Sequence, residues 1–169
     1  TLGKYWVPFA QQEWTYETRW GAMAQWAADR SSLSASLNYN RYTQKPNAYL
    51  RFGQKMGNDA ELGLSVGQGS GFCAGSVHDR GIALDANVGY RGWRLYSEYN
   101  MFSTAASGNS FGFWSGKLYY EGFGKLVPFV ARFNWDDHSG EFGTFRSWVA
   151  GADYQITPWL AVQAALSDT

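Results

Sequence analysis

The sequence predicts an all-β fold, and within that class an antiparallel transmembrane β-barrel. Three observations lead there. Apolar residues recur at every second position along most of the chain, and no helical period competes. Most alternating runs are about 9–11 residues long, the span a tilted strand needs to cross a bilayer, whereas soluble strands average about 5–6. Short turns and longer loops alternate along the chain, which puts the short turns on one rim and the long loops on the other.

Composition sets the bounds. The chain has 169 residues, enough for one domain with a sizeable core. Its 14 basic and 14 acidic residues cancel, so the basic excess of a nucleic-acid partner is missing. Aromatics are 18% of residues, with nine Trp, which is rich even for a β protein. Mean hydropathy is −0.38. No apolar run approaches the about 18 residues of a membrane helix, but a barrel, apolar only at alternate positions, has the same low value. A single cysteine, Cys73, excludes an internal disulfide and a cysteine-rich metal site. No secretory leader is visible, and the chain starts at Thr1. A removed leader and a longer parent chain both fit.

Residues 1–10, TLGKYWVPFA, read as an extended lead-in, because Pro8 suits a central strand poorly. Strand one then sets Trp14, Tyr16, Thr18, Trp20, Ala22, Ala24 and Trp26 against Glu13, Thr15, Glu17, Arg19, Gly21, Met23 and Gln25. The break Asp29–Ser32 leads to strand two, with Leu33, Ala35, Leu37 and Tyr39 against Ser34, Ser36, Asn38 and Asn40. Thr43 to Asn47 read as a turn around Pro46. Strand three has Ala48, Leu50 and Phe52 on one face, and strand four has Leu62, Leu64 and Val66.

A glycine-rich loop, 68–81, precedes strand five, with Ile82, Leu84, Ala86, Val88 and Tyr90 against Ala83, Asp85, Asn87 and Gly89. Arg91-Gly92 is a tight turn into strand six, with Trp93, Leu95, Tyr99 and Met101 against Arg94, Tyr96, Glu98 and Asn100. After loop 103–111, strand seven carries Trp114, Gly116, Leu118 and Tyr120 against Ser115, Lys117 and Tyr119. Strand eight reads with Val127, Phe129, Ala131, Phe133 and Trp135 as its apolar face and Val130, Arg132 and Asn134 opposite. Loop 136–146 leads to the hairpin of strands nine and ten. There Trp148, Ala150, Ala152, Tyr154 and Ile156 precede Thr157-Pro158, and Leu160, Val162, Ala164 and Leu166 follow it.

Aromatics mark both ends of these strands. Trp26, Tyr90, Trp93, Tyr120, Phe123, Tyr154 and Trp159 adjoin the short turns. Tyr39, Tyr99, Phe102, Phe113, Phe133, Trp135 and Trp148 adjoin the loops. Two aromatic bands with small aliphatics between them are expected of a barrel in lipid. A soluble β-sandwich or lipocalin-like barrel is the competing reading of the same alternation. With short turns on the periplasmic side, both chain ends fall at the outer rim. An open edge in lipid leaves backbone groups unpaired. Residues 1–169 are therefore expected to be one β-barrel segment, about ten strands of a larger barrel.

Two stretches resemble the porin family that includes phosphate- and pyrophosphate-selective porins. LGKYWVPFA, residues 2–10, resembles the Gly-basic-aromatic-x-x-Pro-Phe element where such porins send a loop into the lumen. GADYQITPWLAVQAAL resembles their late hairpins. The resemblance implies a larger channel, a homotrimer, and an inward-folded loop within residues 1–10. The arginine-rich ladder that accompanies phosphate selectivity is missing, so that selectivity is not carried over.

The face opposite the apolar one supplies the candidate pore-lining charges: Glu13, Glu17, Arg19, Arg51, Asp85, Arg94, Glu98, Lys117, Arg132 and Asp153. Five acids and five bases make a mixed lining, which predicts weak ion selectivity, where a single-sign ring would select strongly. The competing reading is a narrow barrel filled by internal salt bridges. His138 shares one loop with Asp136, Asp137, Ser139 and Glu141, and His78 lies in another. Neighbours within one loop do not converge as a catalytic triad does, and their spacing matches no Ca²⁺ loop, so neither catalysis nor a metal is expected. No cofactor is implied.

The expected function is an outer-membrane channel, in a bacterial outer membrane, for passive diffusion of small hydrophilic solutes or ions. Its partners are outer-membrane lipid and those solutes. The alternatives are an outer-membrane barrel without a channel (a lipid hydrolase or adhesin) and a soluble ligand-binding β-barrel.

Overall fold

Period-2 alternation becomes one continuous hydrogen-bonded ladder. The structure, a computed structural model, describes residues 2–6, 18–40, 45–68, 80–103, 110–137, 143–158 and 160–168. These form eleven strands: β1 (Leu2–Trp6), β2 (Thr18–Ala27), β3 (Ser31–Asn40), β4 (Lys45–Lys55), β5 (Ala60–Gln68), β6 (Arg80–Tyr90), β7 (Trp93–Ser103), β8 (Ser110–Tyr120), β9 (Leu126–Asp137), β10 (Thr144–Thr157) and β11 (Leu160–Ser167). Every strand pairs antiparallel with its sequence neighbour, and the sheet order is the chain order. Among the described residues there is no helix, and no ladder joins β11 to β1, so the sheet is open at both edges.

The extra strand is β1. Leu2–Trp6, which sequence places in a lead-in and the resemblance in a loop, pairs with β2 from Leu2↔Ala22 to Trp6↔Thr18. Residues 7–10, including Pro8, and residues 13–17 of the expected first strand lie outside the described residues. Pro46 also differs from expectation. It sits inside β4 opposite Tyr39, one residue from the strand's start, where the missing N–H costs little.

Neighbouring strands run antiparallel, so successive connections fall on opposite rims. Connections 28–30, 56–59, 91–92, 121–125 and 158–159 share one rim. The strand ends that flank 7–17, 41–44, 69–79, 104–109 and 138–143 share the other. Arg91-Gly92 is a two-residue turn in which both residues have positive φ, 50° and 85°. That twist matches the flanking strands, and glycine adopts it without strain.

The two faces have opposite chemistry. One carries Leu33, Leu37, Leu50, Phe52, Leu62, Leu64, Val66, Ile82, Leu84, Leu95, Leu118, Val130, Val162 and Leu166, all exposed. The largest apolar patch on a soluble monomer is typically about 300–600 Å². Here the apolar field runs from β2 to β11. The opposite face is buried and largely polar: Ser36, Asn38, Asn47, Ser65, Asp85, Glu98, Asn100, Ser115 and Ser147 are all buried. Among the described residues there is one sheet, and this is its shielded face.

Register corrects the reading of β9. The pairs Leu118↔Val130 and Gly116↔Arg132 put Val130 and Arg132 on the apolar face. Phe129 and Ala131 are buried on the polar one. Phe113, Phe133 and Trp135 share that polar face, with ring centroids 6.3 Å apart for Phe113–Phe133 and 6.4 Å for Phe113–Trp135. Phe102 is buried there too. These four aromatics do not belong to a band on the apolar face. Tyr90, Trp93, Tyr120 and Tyr154 do line that face beside the short turns, with Trp93 and Tyr120 centroids 4.8 Å apart. Trp159 lies outside the described residues.

Candidate functional site

The polar face of β4 to β10 gathers most of the charge that the sequence singles out. Its centre is Arg51 on β4. Arg51 donates from Nη2 to Asp85 Oδ1 at 2.6 Å and from Nε to Asp85 Oδ2 at 3.1 Å. The same Nη2 reaches Glu61 Oε1 at 3.0 Å. Asp85 sits on β6, so Arg51 must cross the whole of β5. Gly63 makes this possible. It pairs with both Gly53 and Asp85 in register, and a Cβ on it would overlap both Asp85 oxygens and the Arg51 guanidinium. The side chain of Asp85 is fully shielded, at 0% exposure, and that of Arg51 is 13% exposed. A carboxylate buried to that degree needs a full set of hydrogen bonds, and the two-pronged arginine supplies two.

Directly opposite Asp85 on β7 is Glu98, buried at 1% exposure. Two carboxylates facing each other across a ladder would repel. Each is instead held by its own partners. Glu98 accepts from Tyr96 OH and from Asn100 Nδ2, the latter at 3.3 Å. Tyr96, Glu98 and Asn100 follow at two-residue spacing, so one strand delivers all three to one face.

Two further groups extend the row toward the short-turn rim. Arg94 donates from Nε to Glu121 Oε2 at 3.0 Å and from Nη1 to Asn87 Oδ1 at 3.4 Å. Lys117 Nζ lies 4.0 Å from Asp153 Oδ2 and 4.6 Å from the Phe129 ring centroid. Asp153 also accepts from Gln163 at 2.7 Å. The wall therefore carries three cations each set against carboxylate, with Glu98 held by neutral donors. Several buried polar atoms make no protein hydrogen bond among the described residues: Ser36 Oγ, Asn38 Nδ2, Asn100 Oδ1 and Ser115 Oγ.

Six of the expected lining residues, Arg51, Asp85, Arg94, Glu98, Lys117 and Asp153, share this face. Arg19 is in β2, in register with Tyr5. Glu13 and Glu17 lie outside the described residues, as do Cys73, His78, His138 and Glu141. Arg132 is the exception: it is on the apolar face, stacked over the Trp148 ring at 4.8 Å. Sequence reasoning missed Glu61, Tyr96 and Asn100 as partners. Glu61 and Arg51 could have been paired through the β4–β5 hairpin, because the turn 56–59 fixes Lys55↔Glu61 and Gly53↔Gly63. Asp136 is on the apolar face, accepting from Thr144 Oγ1 at 3.3 Å. Among the described residues no group of His, Cys, Asp and Glu is arranged to hold a metal.

No protein-family model, curated protein or solved structure matches this chain.

Proposed function

We propose that this sheet is wall from an outer-membrane β-barrel channel, passing small hydrophilic solutes or ions by diffusion across a bacterial outer membrane. One observation carries the reading: the polarity is reversed, with aliphatic side chains exposed and Asp85, Glu98, Asn100 and Asn47 buried. In water that arrangement is unfavourable by about 25 cal/mol for every Å² of apolar surface left uncovered. In a bilayer the lipid covers the apolar face, and the polar face lines an aqueous interior. Water in that interior supplies the hydrogen bonds that Ser36, Asn38, Asn100 and Ser115 do not find in protein.

Strand length and rim asymmetry support the same reading. β2 to β10 have 9–14 residues each, and the longer connections gather on one rim. Tyr90, Trp93, Tyr120 and Tyr154 serve as the interfacial band at the short-turn rim. The neutralised pairs predict a channel with weak ion selectivity. The porin resemblance adds a homotrimer and a larger barrel to the proposal.

A barrel plugged by its own side chains is the second reading, favoured by the closed bonding of Tyr96, Glu98 and Asn100. Planar-bilayer recording separates the two. A channel gives discrete conductance steps that scale with salt concentration. A folded, inserted and electrically silent protein refutes the channel. A chain that stays monomeric in buffer without detergent refutes the membrane reading altogether.

A further inference from the structure

Among the described residues the apolar face carries cations at Arg80, at the start of β6, and in a larger break on β9 and β10. Arg132 sits there in a row with Ser97, Gly116 and Trp148. One step toward the long-loop rim, Arg146 Nε donates to Asn134 Oδ1 at 3.1 Å. The two arginines differ from three cations of the opposite face. Arg51, Arg94 and Lys117 all lie within 4.0 Å of a carboxylate. Among the described residues Arg132 contacts only the Trp148 ring, at 4.8 Å, and Arg146 only a neutral amide. The acids nearby are engaged elsewhere: Asp136 with Thr144, and Asp168 with the Trp148 amide and Ser147.

Their height matters. Arg132 is six residues along β9 from Leu126, which pairs with Tyr154 at the short-turn rim. At about 3.3 Å per residue that is about 20 Å along the strand, or about 15 Å of height for a strand tilted near 45°. The apolar band of such a barrel is about 25 Å tall. Arg132 therefore starts within the half of the band nearer the long-loop rim. Its side chain can snorkel toward the headgroups of that leaflet, and Arg146 starts closer still.

We infer that Arg132 and Arg146, with Asn134 and Trp148, form a binding site on the lipid-facing surface for the phosphate of an anionic lipid headgroup. The inference rests on the membrane-barrel reading. Charge complementarity selects the occupant. Two guanidinium groups that touch no carboxylate among the described residues match a phosphate, which accepts several N–H donors at once. Beside it the Trp114 indole lies over Gly116 and donates from Nε1 to Ser97 Oγ at 3.2 Å, an aromatic surface on which an acyl chain can lie next to the Trp148 ring.

The test reconstitutes the full chain into phosphatidylcholine vesicles containing a minor fraction of phosphatidylglycerol. Lipid retained after gentle detergent release is counted by native mass spectrometry. The unmodified protein should retain phosphatidylglycerol in preference to phosphatidylcholine. The R132Q/R146Q variant should retain about tenfold less of it. R132K/R146K, which keeps both charges, should retain most of the preference, and R91Q, at the opposite rim, should match the parent. Equal retention by the parent and R132Q/R146Q overturns the inference. So does a variant that keeps its lipid but falls from an oligomer to a monomer, because the patch is then an interface between copies. Failure of the unmodified chain to insert into vesicles overturns the membrane reading itself, and the inference with it.

Discussion

Arg51 reaches over Gly63 to grip Asp85 with two hydrogen bonds, 2.6 and 3.1 Å long, across an entire intervening strand. This link ties β4 to β6 and neutralises a fully shielded carboxylate of the polar face. Arg51→Ala would leave Asp85 and Glu61 without their cation. In the proposed channel that makes the wall more acidic. Reversal potentials under a KCl gradient should shift toward cation preference, and Asp85→Asn should shift them the other way.

The same pair should be visible in stability. Breaking a buried ion pair from one side costs about 3–5 kcal/mol, because the other charge stays buried and unpaired. Arg51→Ala, which strands Asp85, should therefore lower the unfolding free energy in detergent by about 3 kcal/mol, and Asp85→Ala by less, because Arg51 keeps Glu61. The double variant R51A/D85A should lose clearly less than the sum of the two single losses. Additive losses would show that the pair is not coupled.

Gly63 is a requirement of that geometry. Gly63→Ala places a methyl group where the Asp85 carboxylate and the Arg51 guanidinium lie, and should destabilise by about 1–3 kcal/mol. Gly89→Ala on β6 is the control, since its new Cβ would come no closer than 3.5 Å to any neighbour. Denaturant titration of the two variants side by side checks the difference.

The turn at Arg91-Gly92 invites a gain. Arg91 adopts φ 50°, a region that Asn occupies more readily, so Arg91→Asn should stabilise the β6–β7 hairpin by about 0.5 kcal/mol. Gly92→Ala should destabilise it by about 1 kcal/mol or more, through its φ of 85° and a Cβ 3.0 Å from Tyr120 Cε2. Thermal unfolding midpoints should move in opposite directions.

Most strands were legible because period 2 is a strong signal when one face is Leu, Val and Ala and the other Ser, Asn and Gly. β3, β5, β6 and β11 match their expected faces for that reason. β1 was not legible. Five residues followed by Val-Pro carry too little alternation, and only its pairing with β2 identifies it as a strand. β9 misled in a more informative way. Phe129, Ala131, Phe133 and Trp135 are more apolar than Val130, Arg132 and Asn134, so composition assigns them to the apolar face. The register through the connection 121–125 puts them on the other. Alternation gives the two faces of a strand but not which is which; pairing decides that. The Arg51–Asp85 link was likewise hidden, since its partners stand two strands apart and meet only because Gly63 is between them.

The central claim is that the aliphatic face meets lipid and the polar face meets water. Spin labels placed singly along β6, from Ala83 to Val88, in the reconstituted protein test it most directly. The account predicts a period of two: labels at Leu84, Ala86 and Val88 relax with membrane-dissolved oxygen, and those at Ala83, Asp85 and Asn87 with a water-soluble nickel chelate. Equal nickel access on both faces, or no alternation at all, would contradict it.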